Sequence, residues 1–143
     1  MYNLRCINFE AMEEKSKYKV IIVDDDDFLV DMYSVKFNHI GVETEVCKSG
    51  QVLLDKLRAS YKADLLLLDI VMPGMDGIEI LRTMRKEKLG EDILVVILTN
   101  QNDEKNINEA KILGVSGYVV KSSATPSELV AEVIRIIKSP TKI

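Results

Sequence analysis

The sequence predicts a doubly wound α/β domain built on a parallel sheet, and three observations predict it. Short all-apolar runs at Val20–Val23, Leu65–Leu68 and Ile93–Leu98 lack polar alternation, as strands buried on both faces do. Stretches with helical spacing separate these runs, which is the βαβ alternation that forces a parallel sheet. Each run also stops at a polar residue, Asp24, Asp69 or Thr99, and open α/β sheets place their ligands at that strand end.

The elements follow in chain order. From Lys19, Val20-Ile21-Ile22-Val23 reads as a buried strand ending at Asp24 and Asp25. Leu29, Met32, Tyr33, Phe37 and Ile40 have helical spacing, and Gly41 stops that helix. Glu43–Cys47 alternates polar with apolar, as an edge strand does. Gly50–Ala59, with Val52, Leu53, Leu54 and Leu57, is a short helix. Asp64–Asp69 is a strand buried on both faces, and Pro73, Gly74, Asp76 and Gly77 mark the loop after it. Ile78, Ile80, Leu81 and Met84 mark the next helix, and Ile93–Leu98 a strand ending at Thr99. Asp103–Leu113 is a helix with a thin apolar face, Ile107, Ala110 and Leu113. Tyr118-Val119-Val120 is a strand ending at Lys121. Thr125-Pro126-Ser127-Glu128 is a capping box with proline at the first helical position, opening a helix to about Lys138. On that helix Leu129, Val133 and Ile136 make a core stripe. Val130, Ile134 and Ile137 form a second apolar line, surplus to one face unless the buried stripe is wide. Five strands and five helices result, with helices on both sheet faces because crossovers are right-handed. Strand order is not legible from periodicity.

At 143 residues the chain fits one domain, and 47% hydrophobic content supports a packed core. Residues 1–18 read as an N-terminal extension, 19–139 as the domain and 140–143 as a C-terminal tail, with no output domain expected. A net charge of −4 without a basic block argues against direct binding of nucleic acid or anionic membrane. No apolar run approaches a membrane span. Cys6 and Cys47 form neither a metal pattern nor a disulfide framework, so a reducing, cytoplasmic location is expected.

Asp24, Asp25, Asp69, Thr99 and Lys121 all stand at strand ends, so a parallel sheet brings them to one edge. Alone, each would be an ordinary loop residue or helix cap; the set points to a site. Clustered carboxylates need a cation or a proton, and hard oxygen donors without His or Cys favour Mg²⁺. An aspartate so placed can attack phosphorus. A cation, the Lys121 ammonium and the Thr99 hydroxyl would then stabilise the phosphoryl oxygens.

These residues carry a family resemblance. Val23-Asp24-Asp25-Asp26, Asp69 through Gly77, Leu98-Thr99 and Gly117-Tyr118-Val119-Val120-Lys121 resemble the receiver domain of two-component response regulators, over roughly residues 18–139. The resemblance implies a flavodoxin-like sheet of strand order 2-1-3-4-5. It implies Asp69 as phosphoacceptor, with a sensor histidine kinase or a His-containing phosphotransfer protein as donor. Mg²⁺ would be held by Asp24, Asp25, Asp69 and the Val71 carbonyl, with Asp25 a direct ligand and Asp24 acting through water. Thr99 and Tyr118 would be the switch, and the 103–137 face would bind a downstream protein or a second copy of the chain. Such a module catalyses only its own phosphorylation and slow dephosphorylation. The chain departs from the family at Asn100, where a small residue is usual, and at Ser122, where proline is usual. Val71 and Gln101 occupy positions that tune phosphoryl lifetime. Without proline after it, the Lys121–Ser122 bond is expected trans, because a non-proline cis bond costs about 3–4 kcal/mol.

Two rivals are weaker. A phosphatase of the haloacid dehalogenase type needs a second aspartate two residues after the nucleophile, where this chain has Val71. An inert interaction module does not explain the intact acid pair, Thr99 and Lys121. His39 reads as a helix-surface residue, Cys47 as an ordinary strand residue, and Asp26 and Asp27 as serving the first helix start.

Overall fold

In the computed structural model, residues 18–100, 103–141 and 143 are described. The strands are β1 (Lys19–Val23), β2 (Glu43–Cys47), β3 (Leu65–Asp69), β4 (Leu94–Thr99) and β5 (Gly117–Val120). The helices are α1 (Asp27–His39), α2 (Gly50–Arg58), α3 (Gly77–Lys86), α4 (Glu104–Ile112) and α5 (Pro126–Lys138). All strand pairs are parallel, in the order β2-β1-β3-β4-β5, the flavodoxin-like arrangement expected.

The leucine run of β3 shows why the strands lack polar alternation. Leu66 and Leu68 pack on one face with Ile21, Val23, Val95 and Ile97, under α2, α3 and α4. Leu65 and Leu67 pack on the other with Val20, Ile22, Val96 and Leu98, under α1 and α5. Both faces are covered, so both sets of alternating positions are apolar.

Each helix begins with a side-chain cap: Asp26, Ser49, Asp76, Asp103 and Thr125 accept from a backbone N–H in the first turn. The capping box at Thr125 and Glu128 is complete. Gly41 follows α1 at φ +83°, a left-handed conformation that glycine adopts without steric cost.

Helix α1 differs in detail from expectation, and α5 takes the wide-stripe alternative. On α1 the buried stripe is Val30, Tyr33 and Phe37, while Leu29 and Met32 are half-buried and Ile40 is exposed. Ile40 lies past the helix end as its C-cap, so it no longer follows the helical face. On α5 the second apolar line is no surplus. Val130 is buried and Ile134 and Ile137 are half-buried against the core shared with α1. The stripe is wide because α5 packs against α1 as well as the sheet. His39 is exposed on α1 and Cys47 is buried in the sheet.

Candidate functional site

The strand register builds the site. Cys47, Val23, Leu68, Ile97 and Tyr118 form one row across the sheet. One step past that row stand Asp24 and Asp69, the latter beside Leu98. Thr99 lies one residue further along its strand, and Lys121 two past Val119. A shared edge thus collects residues far apart in sequence.

The site is charged and its inner residues are buried. Asp24, Asp69 and Thr99 are buried, Lys121 is half-buried and Asp25 is exposed. Lys121 Nζ lies 2.7 Å from Asp24 Oδ2 and 3.2 Å from Asp69 Oδ2. Asp24 Oδ1 accepts from the Asp26 N–H at 2.9 Å, and Asp69 Oδ1 from the Val71 N–H at 3.3 Å. Burial, then the neighbouring Asp24 charge, push the Asp69 carboxyl up to about 6, against the opposing pull of Lys121. Burial works against the Lys121 ammonium, but its bonds and charge contacts with Asp24 and Asp69 outweigh that and hold its pKa above the usual lysine value.

Carboxylate oxygens of Asp24, Asp25 and Asp69 all lie within 4.8 Å of one another. Asp24 Oδ2 is buried at ion-pair distance from Lys121 but has no aligned hydrogen-bond donor. Three hard carboxylates this close together fit a small divalent cation such as Mg²⁺. Asp26 and Asp27 stand apart from this set. Asp26 caps α1, and Asp27 in its first turn pairs with Lys48.

The loops around the pocket are tied together. Gly77 opens α3 so close beneath Asp69 that a Cβ there would lie 2.3 Å from the Asp69 carbonyl oxygen. The Lys121 N–H donates to the Thr99 carbonyl at 2.7 Å. There are no cis peptide bonds among the described residues, so the Lys121–Ser122 bond is trans as expected. Ser122 Oγ instead donates to the Asn100 carbonyl at 3.1 Å, joining the loops after β4 and β5. That link was not legible in sequence, since Asn100 and Ser122 registered only as departures from the family. Val71 is exposed beside Asp69, and Gln101 lies outside the described residues. Tyr118 follows Ile97 in the register, on the α4 side of the sheet, and is 41% exposed.

Comparison with known proteins gives one picture. Residues 20–134 match the response regulator receiver domain. The DNA-binding response regulator MtrA of Mycolicibacterium smegmatis is 32% identical, over 82% of this chain and 49% of its own length. The phosphate regulon transcriptional regulatory protein PhoB of Pseudomonas aeruginosa is 31% identical, over 83% of this chain and 51% of its own. This chain thus spans about half the length of these curated relatives. Among solved structures, the chemotaxis protein CheY4 of Vibrio cholerae superposes with a TM-score of 0.75 at 27% identity, covering 84% of this chain and 98% of its own.

Proposed function

Because this chain belongs to the response regulator receiver family, we propose that it is a phosphorylation switch in which Asp69 accepts a phosphoryl group. The observation that carries the reading is the pocket itself. Asp69 shares it with two further carboxylates and stands 3.2 Å from the Lys121 ammonium. An Asp69 oxygen attacks phosphorus as the P–N bond to a donor imidazole breaks, and the imidazole nitrogen keeps the electron pair and takes up a proton. Lys121 holds the incoming phosphoryl oxygens by charge, and the Thr99 hydroxyl donates to one of them. Asp24, Asp25, Asp69 and the Val71 carbonyl would hold Mg²⁺, which when bound supplies positive charge against the carboxylates and the phosphoryl group. The donor is a sensor histidine kinase or a His-containing phosphotransfer protein. The free, buried Cys47 thiol fits a reducing cytoplasmic setting, and no helix among the described residues is long and apolar enough to cross a membrane.

The response runs through Thr99 and Tyr118. Thr99 turns toward the phosphoryl group and Tyr118 turns inward behind it. This shifts a population rather than building a new fold. The surface of α4, β5 and α5 then binds a downstream protein or a second copy of the chain.

Incubation with acetyl phosphate and Mg²⁺, read by intact mass, tests the assignment. A phosphoprotein that Asp69→Asn or chelation abolishes is the expected result. Full labelling of Asp69→Asn would overturn the assignment. Rapid phosphate release with turnover would favour a phosphatase, and no reaction an inert module.

A further inference from the structure

Among the described residues, the polar contacts from α3 to α4 reach the C-terminal turn of α4. Arg82 and Arg85 stand three residues apart on α3 and so project from one side of it. Arg82 Nε donates to Glu109 Oε2 at 2.6 Å, and Arg85 Nε to the Leu113 carbonyl at 2.7 Å. Both acceptors belong to the C-terminal end of α4, with Leu113 as its C-cap. The last carbonyls of a helix lack partners within it, and a guanidinium there also opposes the negative end of the helix dipole. The other end of α4 is held differently. Asp103 accepts from the Asn106 N–H at 3.3 Å and from Asn106 Nδ2 at 2.6 Å, both within the helix's own first turn. Between the ends only Ile107 and Ala110 are buried. The helix that supplies the arginines is itself seated, because Gly77 abuts the Asp69 backbone.

We propose that Arg82 and Arg85 make the C-terminal turn of α4 a pivot on α3, so that a signal at Thr99 swings the N-terminal turn of α4. This rests on the reading of Thr99 as part of the switch. The polar contacts fix the end of α4 far from Thr99 in sequence. Among the described residues, the end that follows Thr99 is held by its own cap and by the nearby buried Ile107. A helix anchored this way rotates about its fixed end instead of sliding as a whole, and the exposed residues of its first two turns travel furthest.

Residue-resolved amide exchange of the unphosphorylated protein tests the clamp without any phosphoryl group. Protection is expected to be higher at Ile112 and Leu113 than at Ile107 and Asn108. Arg82→Ala with Arg85→Ala should speed exchange at Ile112 and Leu113 roughly tenfold relative to Ile107. Arg85→Met, which keeps the apolar stem and removes the donor, carries the same test if the double variant does not fold. Unchanged exchange at Leu113, or equal acceleration at both ends, would overturn the pivot. In a second arm, beryllium fluoride and Mg²⁺ should shift amide resonances at 104–108 more than at 109–113. Uniform shifts along α4 would also overturn the pivot. A silent α4 with the exchange gradient intact would overturn the switch reading, and the motion with it, while the clamp stands.

Discussion

Helices α4 and α5 flank β5 on one surface, yet different physics holds them. α5 buries Leu129, Val130, Val133 and Ile136, and a complete capping box fixes its start. α4 buries only Ile107 and Ala110, and takes two arginine contacts from α3 instead. Full burial of a large aliphatic side chain is worth about 1.5–3 kcal/mol, whereas an exposed ion pair gives up to about 1 kcal/mol. α5 is therefore a wall and α4 the softer element beside it. The difference teaches that, if this surface is the one that responds, a regular helix can be the part that moves. Its thin apolar face, Ile107 and Ala110, would then be what lets it move.

The sharpest way to break this comparison is to truncate one core residue on each side. Leu129→Ala should cost about 2–5 kcal/mol, since it opens a cavity where the side chain is fully packed. Ile107→Ala should fall at about the low end of that range, because its site lies close to solvent and can collapse. Urea unfolding measures both losses. Exchange should show Leu129→Ala weakening the whole domain and Ile107→Ala weakening mainly α4. Equal costs with equally global effects would remove the distinction.

The edge from which both helices are approached shows burial of the opposite sign. Asp69 is buried beside Asp24, and its carboxyl is pushed up to about 6. Without metal, the folded chain keeps a proton on Asp69 that the unfolded chain releases near pH 4. Stability contributed by this group is therefore present at acid pH and declines as pH rises from about 4 to about 6. Asp69→Asn should remove that decline and raise metal-free stability at pH 7.5 by about 1–3 kcal/mol. Thermal melts with a chelator check it. A destabilised Asn variant would show that Lys121 already compensates the buried pair. Saturating Mg²⁺ should narrow the gap, because ligand binding to the native state favours the parent.

How much was legible in sequence follows the same divide. Where burial on both sheet faces decides, the sequence was readable. The four leucines of β3 fixed a two-sided strand, and their ends located Asp69. The capping box located the start of α5 because Thr125, Pro126 and Glu128 act within one turn of chain. The convergence of Asp24, Asp25, Asp69, Thr99 and Lys121 was readable too, since parallel strands share an edge. Contacts between distant polar side chains were not. Nothing local distinguishes Arg82 and Arg85 from surface arginines, and only the placement of α4 against α3 gives them Glu109 and Leu113. The width of the α5 stripe was ambiguous for the same reason. Ile134 is drawn half-buried onto the core only because α5 packs against α1.

A smaller change sharpens the comparison at the helix starts. Thr125→Ala removes half of the capping box and should cost about 1 kcal/mol, measured by urea unfolding. The Glu128 carboxyl is held below its usual value by the Thr125 N–H and hydroxyl. That contribution is present at neutral pH and lost as pH falls through the acid range below about 4. The penalty of Thr125→Ala should accordingly shrink in acid. A penalty that does not change with pH would mean that the Thr125 hydroxyl does not hold the Glu128 carboxyl down, since the bond from the Thr125 N–H survives the substitution.

The smallest expected effect on stability is at Ile112. This residue is 85% exposed near the end of α4, so Ile112→Ser should change stability by no more than about 0.5 kcal/mol. A single exposed aliphatic residue is ordinary on a protein surface and needs no function. Ile112 differs in its place, on the softer helix, and Tyr118 on β5 is a further exposed apolar residue. If the surface of α4, β5 and α5 is where a partner or second copy settles, this side chain is apolar area waiting to be covered. Ile112→Ser should then weaken association induced by beryllium fluoride and Mg²⁺ several-fold, on the order of one buried aliphatic side chain. Sedimentation velocity of parent and variant, with and without the additives, measures it. Unchanged association would place Ile112 outside the contact. The pivot would account for that outcome directly, since the clamped turn moves least and the moving end of α4, from Glu104 to Asn108, would carry the contact instead.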